Sequence, residues 1–135
     1  ANNFKWRYNK NKMNQIVSRL EEILGNQDWK LHVYPQSFKG FDAIYRNREA
    51  VYGFEFEVSD HRIILTNMHR EAKKGFGTKS LKELESALTK LSKIEEVEVV
   101  LIFLKFGQED TARWLEKNKY TLKPGQDQIY FKIFN

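Results

Sequence analysis

One stretch of the chain concentrates residues suited to holding an anion: His69-Arg70-Glu71-Ala72-Lys73-Lys74-Gly75-Phe76-Gly77-Thr78-Lys79-Ser80-Leu81. A strand-like segment enters it, a basic Gly-x-Gly loop turns it, and a leucine-periodic segment leaves it. Glycines at 75 and 77 let the backbone take positive φ and let a ligand approach the main chain closely. A helix starting after them presents unpaired N–H groups and the positive end of its dipole. With Lys73, Lys74 and Lys79 alongside, the pattern describes a backbone cradle for a pyrophosphate. The competing reading is a tight turn whose lysines are merely solvated, and Gly-x-Gly alone does not separate the two.

Other chemistry is thinly represented. A P-loop requires Gly-Lys-Ser/Thr, whereas Thr78 stands between Gly77 and Lys79-Ser80. A dinucleotide fingerprint requires a third glycine where Ser80 stands. Glu55 and Glu57 share one face of a strand, and a carboxylate there is a candidate general base. A two-residue turn at Ser59-Asp60 sets Glu57 opposite Arg62, which gives Glu57 an ion-pair partner, and sets Glu55 opposite Ile64. Glu55 is therefore the candidate base, against the alternative of a solvated strand face. His32, His61 and His69 lie on separate strands or strand ends without metal-ligand spacing, so no metal is expected. No Gly-x-Ser-x-Gly elbow supports a serine hydrolase.

The elements that must position these residues follow from period. Met13, Ile16, Val17, Leu20, Ile23 and Leu24 repeat at three and four, predicting a helix over residues 9–24, stopped by Gly25 in the left-handed conformation. Alternation predicts strands over residues 4–8, 29–33, 42–46, 50–58 and 61–68, with a loop at 36–40. Leu81, Leu84, Leu88 and Leu91 predict a helix over 77–91. Residues 97–106 are apolar on both faces, as a central strand covered on both sides is. A short helix over 108–118 and strands at 120–122 and 128–134 complete the order β-α-ββββ-α-β-α-ββ. That is an α+β fold, one domain over residues 1–135 with a mixed, mostly antiparallel sheet flanked by helices.

Two phrases within this order resemble the GNAT (N-acetyltransferase) superfamily over residues 63–135. Its acetyl-CoA loop, Gln/Arg-x-x-Gly-x-Gly/Ala between a strand and a leucine-rich helix, is similar to Ala72-Lys73-Lys74-Gly75-Phe76-Gly77. Its later phrase, a helix end of the type Arg-Phe-Leu-Glu-Lys-Asn-Gly-Phe, is similar to Arg113-Trp114-Leu115-Glu116-Lys117-Asn118-Lys119-Tyr120. Three departures are plain: Ala72 replaces the opening Gln/Arg, Lys119 replaces a glycine, and the family's frequent catalytic tyrosine has no counterpart near Leu115-Glu116. The resemblance implies a GNAT-like, acyl-CoA N-acyltransferase-like fold whose sheet parts between strands 61–68 and 97–106. It implies acetyl-CoA as co-substrate, held by Asn67, Met68, Lys73, Lys74, Gly75, Phe76, Gly77 and Thr78. An acyl group would pass to an amine, with Glu55 or water taking the proton. The alternative is a non-catalytic binding module whose basic surface takes nucleic acid or an acidic protein.

Composition bounds all of this. The 135 residues, 41% apolar with 19 aromatics, are the length and make-up of one folded domain rather than of a disordered chain. Lys+Arg 23 against Asp+Glu 18 gives +5, a mild excess that suits a phosphate-bearing ligand. Cations interleaved with aromatics at Phe4-Lys5-Trp6-Arg7-Tyr8 invite a nucleic-acid reading, but strand alternation accounts for them without a ligand. Nucleic acid is thus the disfavoured partner. No cysteine is present, so thiolate and cysteine–metal chemistry are excluded. The longest apolar run, residues 99–104, is too short to cross a membrane, and no apolar leader opens the chain; a cytoplasmic placement is expected.

Overall fold

Met13, Ile16, Val17, Leu20 and Leu24 are buried together on α1 (Lys10–Gly25) in the computed structural model, which describes residues 10–35, 41–104, 109–126 and 128–135. The helix stops where expected, but the left-handed residue is Asp28 (φ 63°) and not Gly25. The amides of Gln27 and Trp29 both return to the Leu24 carbonyl, which closes the helix end ahead of the glycine's predicted role.

Strands β1 (Lys30–Pro35), β2 (Phe41–Arg46), β3 (Ala50–Val58) and β4 (Arg62–Ala72) form an antiparallel meander. Helix α2 (Gly77–Glu95) crosses over to β5 (Glu98–Leu104), which pairs parallel with β4. Helix α3 (Glu109–Lys117), β6 (Thr121–Leu122) and β7 (Ile129–Phe134) follow. The sheet order is β1-β2-β3-β4-β5-β7-β6, and β4–β5 is its one parallel pair among the described residues. A mixed, mostly antiparallel α+β sheet flanked by helices is therefore what the sequence builds, in agreement with expectation. The predicted strand over residues 4–8 and the loop at 36–40 fall outside the described residues.

Register sorts the sheet into two faces. Tyr52, Phe54, Phe56, Ile63, Leu65, Val99, Leu101 and Phe103 are cross-strand neighbours on one face, all buried, and α1 and α2 pack there with Leu81, Leu84, Leu88 and Leu91. Burying a leucine of this kind contributes roughly 1.5–3 kcal/mol. Helix α3 joins the same face, with Trp114 edge-on to Phe103. The opposite face carries Ile64, Val100, Ile102, Phe131 and Ile133 in register, and among the described residues no helix covers it. The expectation of β5 covered on both sides thus holds for one side only: Val100 is buried within the sheet, while Ile133 beside it is 45% exposed.

One buried polar cluster ties the C-terminal half to α2. The Glu85 carboxylate, 6% exposed, accepts from the Tyr120 hydroxyl at 2.9 Å and from Lys132 Nζ at 3.0 Å. Lys82 Nζ reaches it at 3.3 Å, and Lys132 also donates to the Asn118 carbonyl. Each charge has partners, as a buried ion pair requires.

Candidate functional site

The hairpin from β3 to β4 is longer than the predicted two-residue turn. Ser59 donates its amide to the Arg62 carbonyl, so Val58 faces Ile63 and Glu57 faces Ile64. The Glu57–Arg62 pair does not form. Arg62 instead meets Glu98 at 2.7 Å, since the parallel register places β5's first residue directly beside it. Glu55 faces Thr66 and not Ile64. It stays on the face predicted for it, because the displacement is two residues and faces alternate with period two. That face is the one away from the helices, and Glu55 is half-buried on it.

Six residues further along β4 the register slips. Phe54 pairs with Asn67 but Gly53 pairs with His69, leaving Met68 as an extra residue in the strand. The buried Asn67 straps this bulge, its Nδ2 donating to the carbonyls of Gly53 (3.1 Å) and His69 (2.8 Å). The side chain of Met68 is 58% exposed. Pairing between β4 and β5 runs through Asn67–Phe103 and ends there. Leu104 stays with Ile129 of β7, while β4 continues to Ala72 with no strand paired to that side among the described residues. The gap that the family resemblance implies between these strands is thus confined to the positions after Asn67 and Phe103, since before them the two pair in register.

Beyond Ala72 the chain makes a tight turn. Phe76 donates its amide to the Lys73 carbonyl at 2.9 Å, and Gly75 sits at φ 88°, a conformation that glycine takes without strain. Lys73's own amide is fixed to the Glu49 carbonyl at 2.7 Å. Helix α2 then starts at Gly77 with Phe76 at its N-cap and no side chain bonded to the exposed N–H groups of its first turn. The first intrahelical bond is Ser80 N–H to Phe76. The amides of Gly77, Thr78 and Lys79 are the orphan donors every helix start presents. The Ser80 hydroxyl caps nothing; it bonds back to the carbonyls of Phe76 and Gly77 and meets the Tyr52 hydroxyl.

The two sequence phrases meet here. Trp114 Nε1 donates to Thr78 Oγ1 at 3.1 Å, linking α3 to the first turn of α2. The Arg70 guanidinium lies on the Trp114 ring, 4.2 Å from its centroid. Partial burial lowers the Arg70 pKa from its ordinary value, and Tyr52 beside it works the other way; the group remains a cation. Burial also raises the Tyr52 phenol. Lys73, Lys74, Gly75 and Thr78 are exposed around the turn, and Lys79 lies over the half-buried Phe76 ring at 5.5 Å. Ala72, where the motif has Gln or Arg, is exposed. The cation at this place is Arg70, two residues earlier. The motif's spacing points to position 72 and does not mark Arg70, and the predicted strand over residues 61–68 ends before it.

The later phrase also keeps its geometry despite Lys119. That residue takes φ 72°, with Lys119 N–H returning to Glu116 and Tyr120 N–H to Leu115. This is the left-handed helix stop that favours the motif's glycine. The buried Asn118 completes it by donating Nδ2 to the Trp114 carbonyl at 2.7 Å.

Of the predicted site residues, Asn67, Met68, Lys73, Lys74, Gly75, Phe76, Gly77 and Thr78 thus run continuously along the parting edge of β4 and the start of α2. Glu55 stands one strand away, across from Thr66. No group of histidines and carboxylates among the described residues is arranged to hold a metal. No described helix is long and apolar enough to cross a membrane.

No protein-family model matches the chain, and no curated protein matches it. Among solved structures it is similar to Ard1 from Thermoplasma volcanium, at 12% identity over 70% of each chain, with a TM-score of 0.44. At that level the similarity carries no functional weight, and the functional reading rests on the site itself.

Proposed function

We propose that residues 1–135 form one acyl-CoA-binding domain that transfers an acetyl group to an amine. The observation that carries this reading is the start of α2. It has no side-chain cap, it follows a glycine turn, and it opens beside Arg70 at the point where β4 and β5 part. Orphan N–H groups, a dipole's positive end and a guanidinium held by an aromatic ring together suit a pyrophosphate. In this reading the amides of Gly77, Thr78 and Lys79 bind the pyrophosphate, those of Lys73 and Phe76 being bonded within the fold, and Arg70 with the three lysines offsets its charge. The thioester arm runs into the gap beside Met68, where the bulge frees backbone groups from the ladder. The acceptor amine attacks the thioester carbonyl; the C–N bond forms, the C–S bond breaks, and the thiolate leaves. Glu55 or a water molecule takes the amine's proton, and the leaving sulfur is then protonated from solvent. Glu55's position across from Thr66, next to the bulge, is what supports its part. Alignment of amine and carbonyl supplies most of the acceleration, as in other reactions that need little more than positioning.

Calorimetric titration with acetyl-CoA at moderate salt tests the reading. Saturable heat and a raised melting temperature are expected, with about 2.7 kcal/mol of added stability at ligand near 100 times Kd. No heat and no melting shift at millimolar acetyl-CoA would remove the acyltransferase reading and favour a non-catalytic module on this scaffold.

A further inference from the structure

The same end of the sheet carries a second basic feature, which shares Arg70 and Lys73 with the acyl-CoA reading but adds Arg46 and Arg48, which that reading does not use. A shallow cavity of about 610 Å³ lies between the β2–β3 hairpin and the end of β4. Arg46, Arg48, Arg70 and Lys73 line it, with Glu49 and Glu71 among them. The hairpin that presents Arg48 is rigid: Asn47 Oδ1 accepts the amides of Glu49 and Ala50 at 2.8 Å, and Asn47 N–H returns to the Ala50 carbonyl. Lys73 N–H bonded to the Glu49 carbonyl locks this hairpin to the turn before α2. Arg46 and Arg48 are exposed and have no ion-pair partner among the described residues.

We propose that this cavity docks a carboxylate-rich segment of polypeptide, and that the acyl acceptor is an amine carried by an acidic peptide or protein. The role of acceptor rests on the acyltransferase reading; the docking does not. Guanidinium groups presented from a hydrogen-bonded hairpin suit bidentate recognition of carboxylates. Glu49 and Glu71, set among the cations, repel a continuous phosphate backbone but accept peptide N–H groups between acidic side chains. No exposed aromatic side chain lines the cavity, so it offers no stacking platform for bases, as single-stranded nucleic acid prefers. From the cavity a peptide has a direct course to the candidate base. Val51, Gly53 and Glu55 share the sheet face away from the helices, and the four steps from Val51 to Glu55 span about 13 Å. Midway, Gly53 is buried beneath its cross-strand partner His69, whose side chain a peptide on this face would pass over.

The test uses a fluorescein-labelled peptide with alternating Glu and Gly and a free amine, beside its Gln-for-Glu counterpart. Polarisation should report tighter binding of the Glu peptide, weakening with salt. Arg46→Ala combined with Arg48→Ala should weaken it about tenfold, a few-fold per exposed charge. In acetylation assays the double variant should raise KM for the Glu peptide by the same factor, leaving kcat and the acetyl-CoA melting shift unchanged. Equal binding of the Glu and Gln peptides, or an unaltered Kd in the double variant, overturns the docking proposal. Displacement of the Glu peptide by an RNA or DNA oligonucleotide that binds more tightly overturns it in favour of nucleic acid. Glu-peptide binding without an acetyl-CoA melting shift removes the acceptor role and the acyltransferase reading together, and leaves the docking surface standing.

Discussion

Replacing Gly77 separates a backbone cradle from a merely basic loop. A Cβ built on Gly77 meets nothing within 4 Å, and the residue's φ is not positive, so a side chain there displaces no atom and strains no backbone. Removing a glycine at an unstrained position stabilises by about 0.4–1 kcal/mol through the unfolded chain. Valine returns roughly half a kcal/mol of that in helix propensity. The melting temperature of Gly77→Val should therefore stay within about 3 °C of the parent. Binding should respond very differently. The open space at Gly77 lies against the orphan amides, and a branched side chain there keeps a phosphate from reaching them. Losing two hydrogen bonds to a charged oxygen, at about 1.5–3 kcal/mol each, weakens acetyl-CoA binding by at least about 100-fold. Lys73→Ala and Lys74→Ala remove exposed, screened charges and should each weaken it by fivefold or less, roughly 1 kcal/mol at most. Titration calorimetry and thermal melts on the four proteins decide the matter. If Gly77→Val binds normally while either lysine change abolishes binding, the anion is held by charge, and the argument from the start of α2 is wrong.

Two further substitutions probe the scaffold. Lys132→Met leaves the buried Glu85 without its closest cation and should cost about 3 kcal/mol, roughly 10 °C in melting temperature; adding Glu85→Leu should recover most of it. A double variant no more stable than Lys132→Met would show that Glu85's charge is not what its partner protects. The Tyr45 hydroxyl is buried without a partner among the described residues, so Tyr45→Phe should stabilise by about 1 kcal/mol, seen as a melting temperature raised by a few degrees. Burial raises the phenols of Tyr45, Tyr52 and Tyr120, so each is held neutral in the fold while unfolded tyrosines ionise near pH 10. Their contribution is complete below that pH and lost above it, giving a melting temperature that falls from about pH 10 upward, less steeply in Tyr45→Phe. A flat profile to pH 11.5 would contradict the burial of these hydroxyls.

The periodic parts of this fold were legible because each element buries a face whose spacing is written in its own residues. The leucines of α2 and the alternation of Tyr52, Phe54 and Phe56 needed no tertiary information. Three features escaped for one shared reason: a neighbour distant in sequence decides them. Arg62 turns to Glu98 because β5 lies beside β4, which no local pattern declares. The slip at Met68 is held by Asn67 reaching across to Gly53, and the strand's composition gives no sign of it. Arg70 reaches the start of α2 only as a result of that slip. At the candidate site the loop itself was readable from glycine spacing and basic residues. The aromatic ring that holds the arginine was not, since Trp114 lies 36 residues beyond its hydrogen-bond partner Thr78.

The extra residue in β4 acts as a phase switch for charge. Before it, even-numbered residues such as Arg62, Ile64 and Thr66 point away from the helices; after it, the even-numbered Arg70 points toward them, while His69 and Glu71 take the outer face and sit 3.6 Å apart. Straightening the bulge with every residue kept, so that Met68 pairs with Gly53, would leave the composition of the strand intact and exchange these roles. Glu71 would then arrive under the start of α2 and Arg70 would swing to the far side of the sheet. The sign of the field at the helix start is thus set by the register of β4 on β3 as much as by the identity of its residues. Among chains with this loop and this order of charges, a strand that pairs regularly through this position should mark a site that repels the anions this one is built to attract.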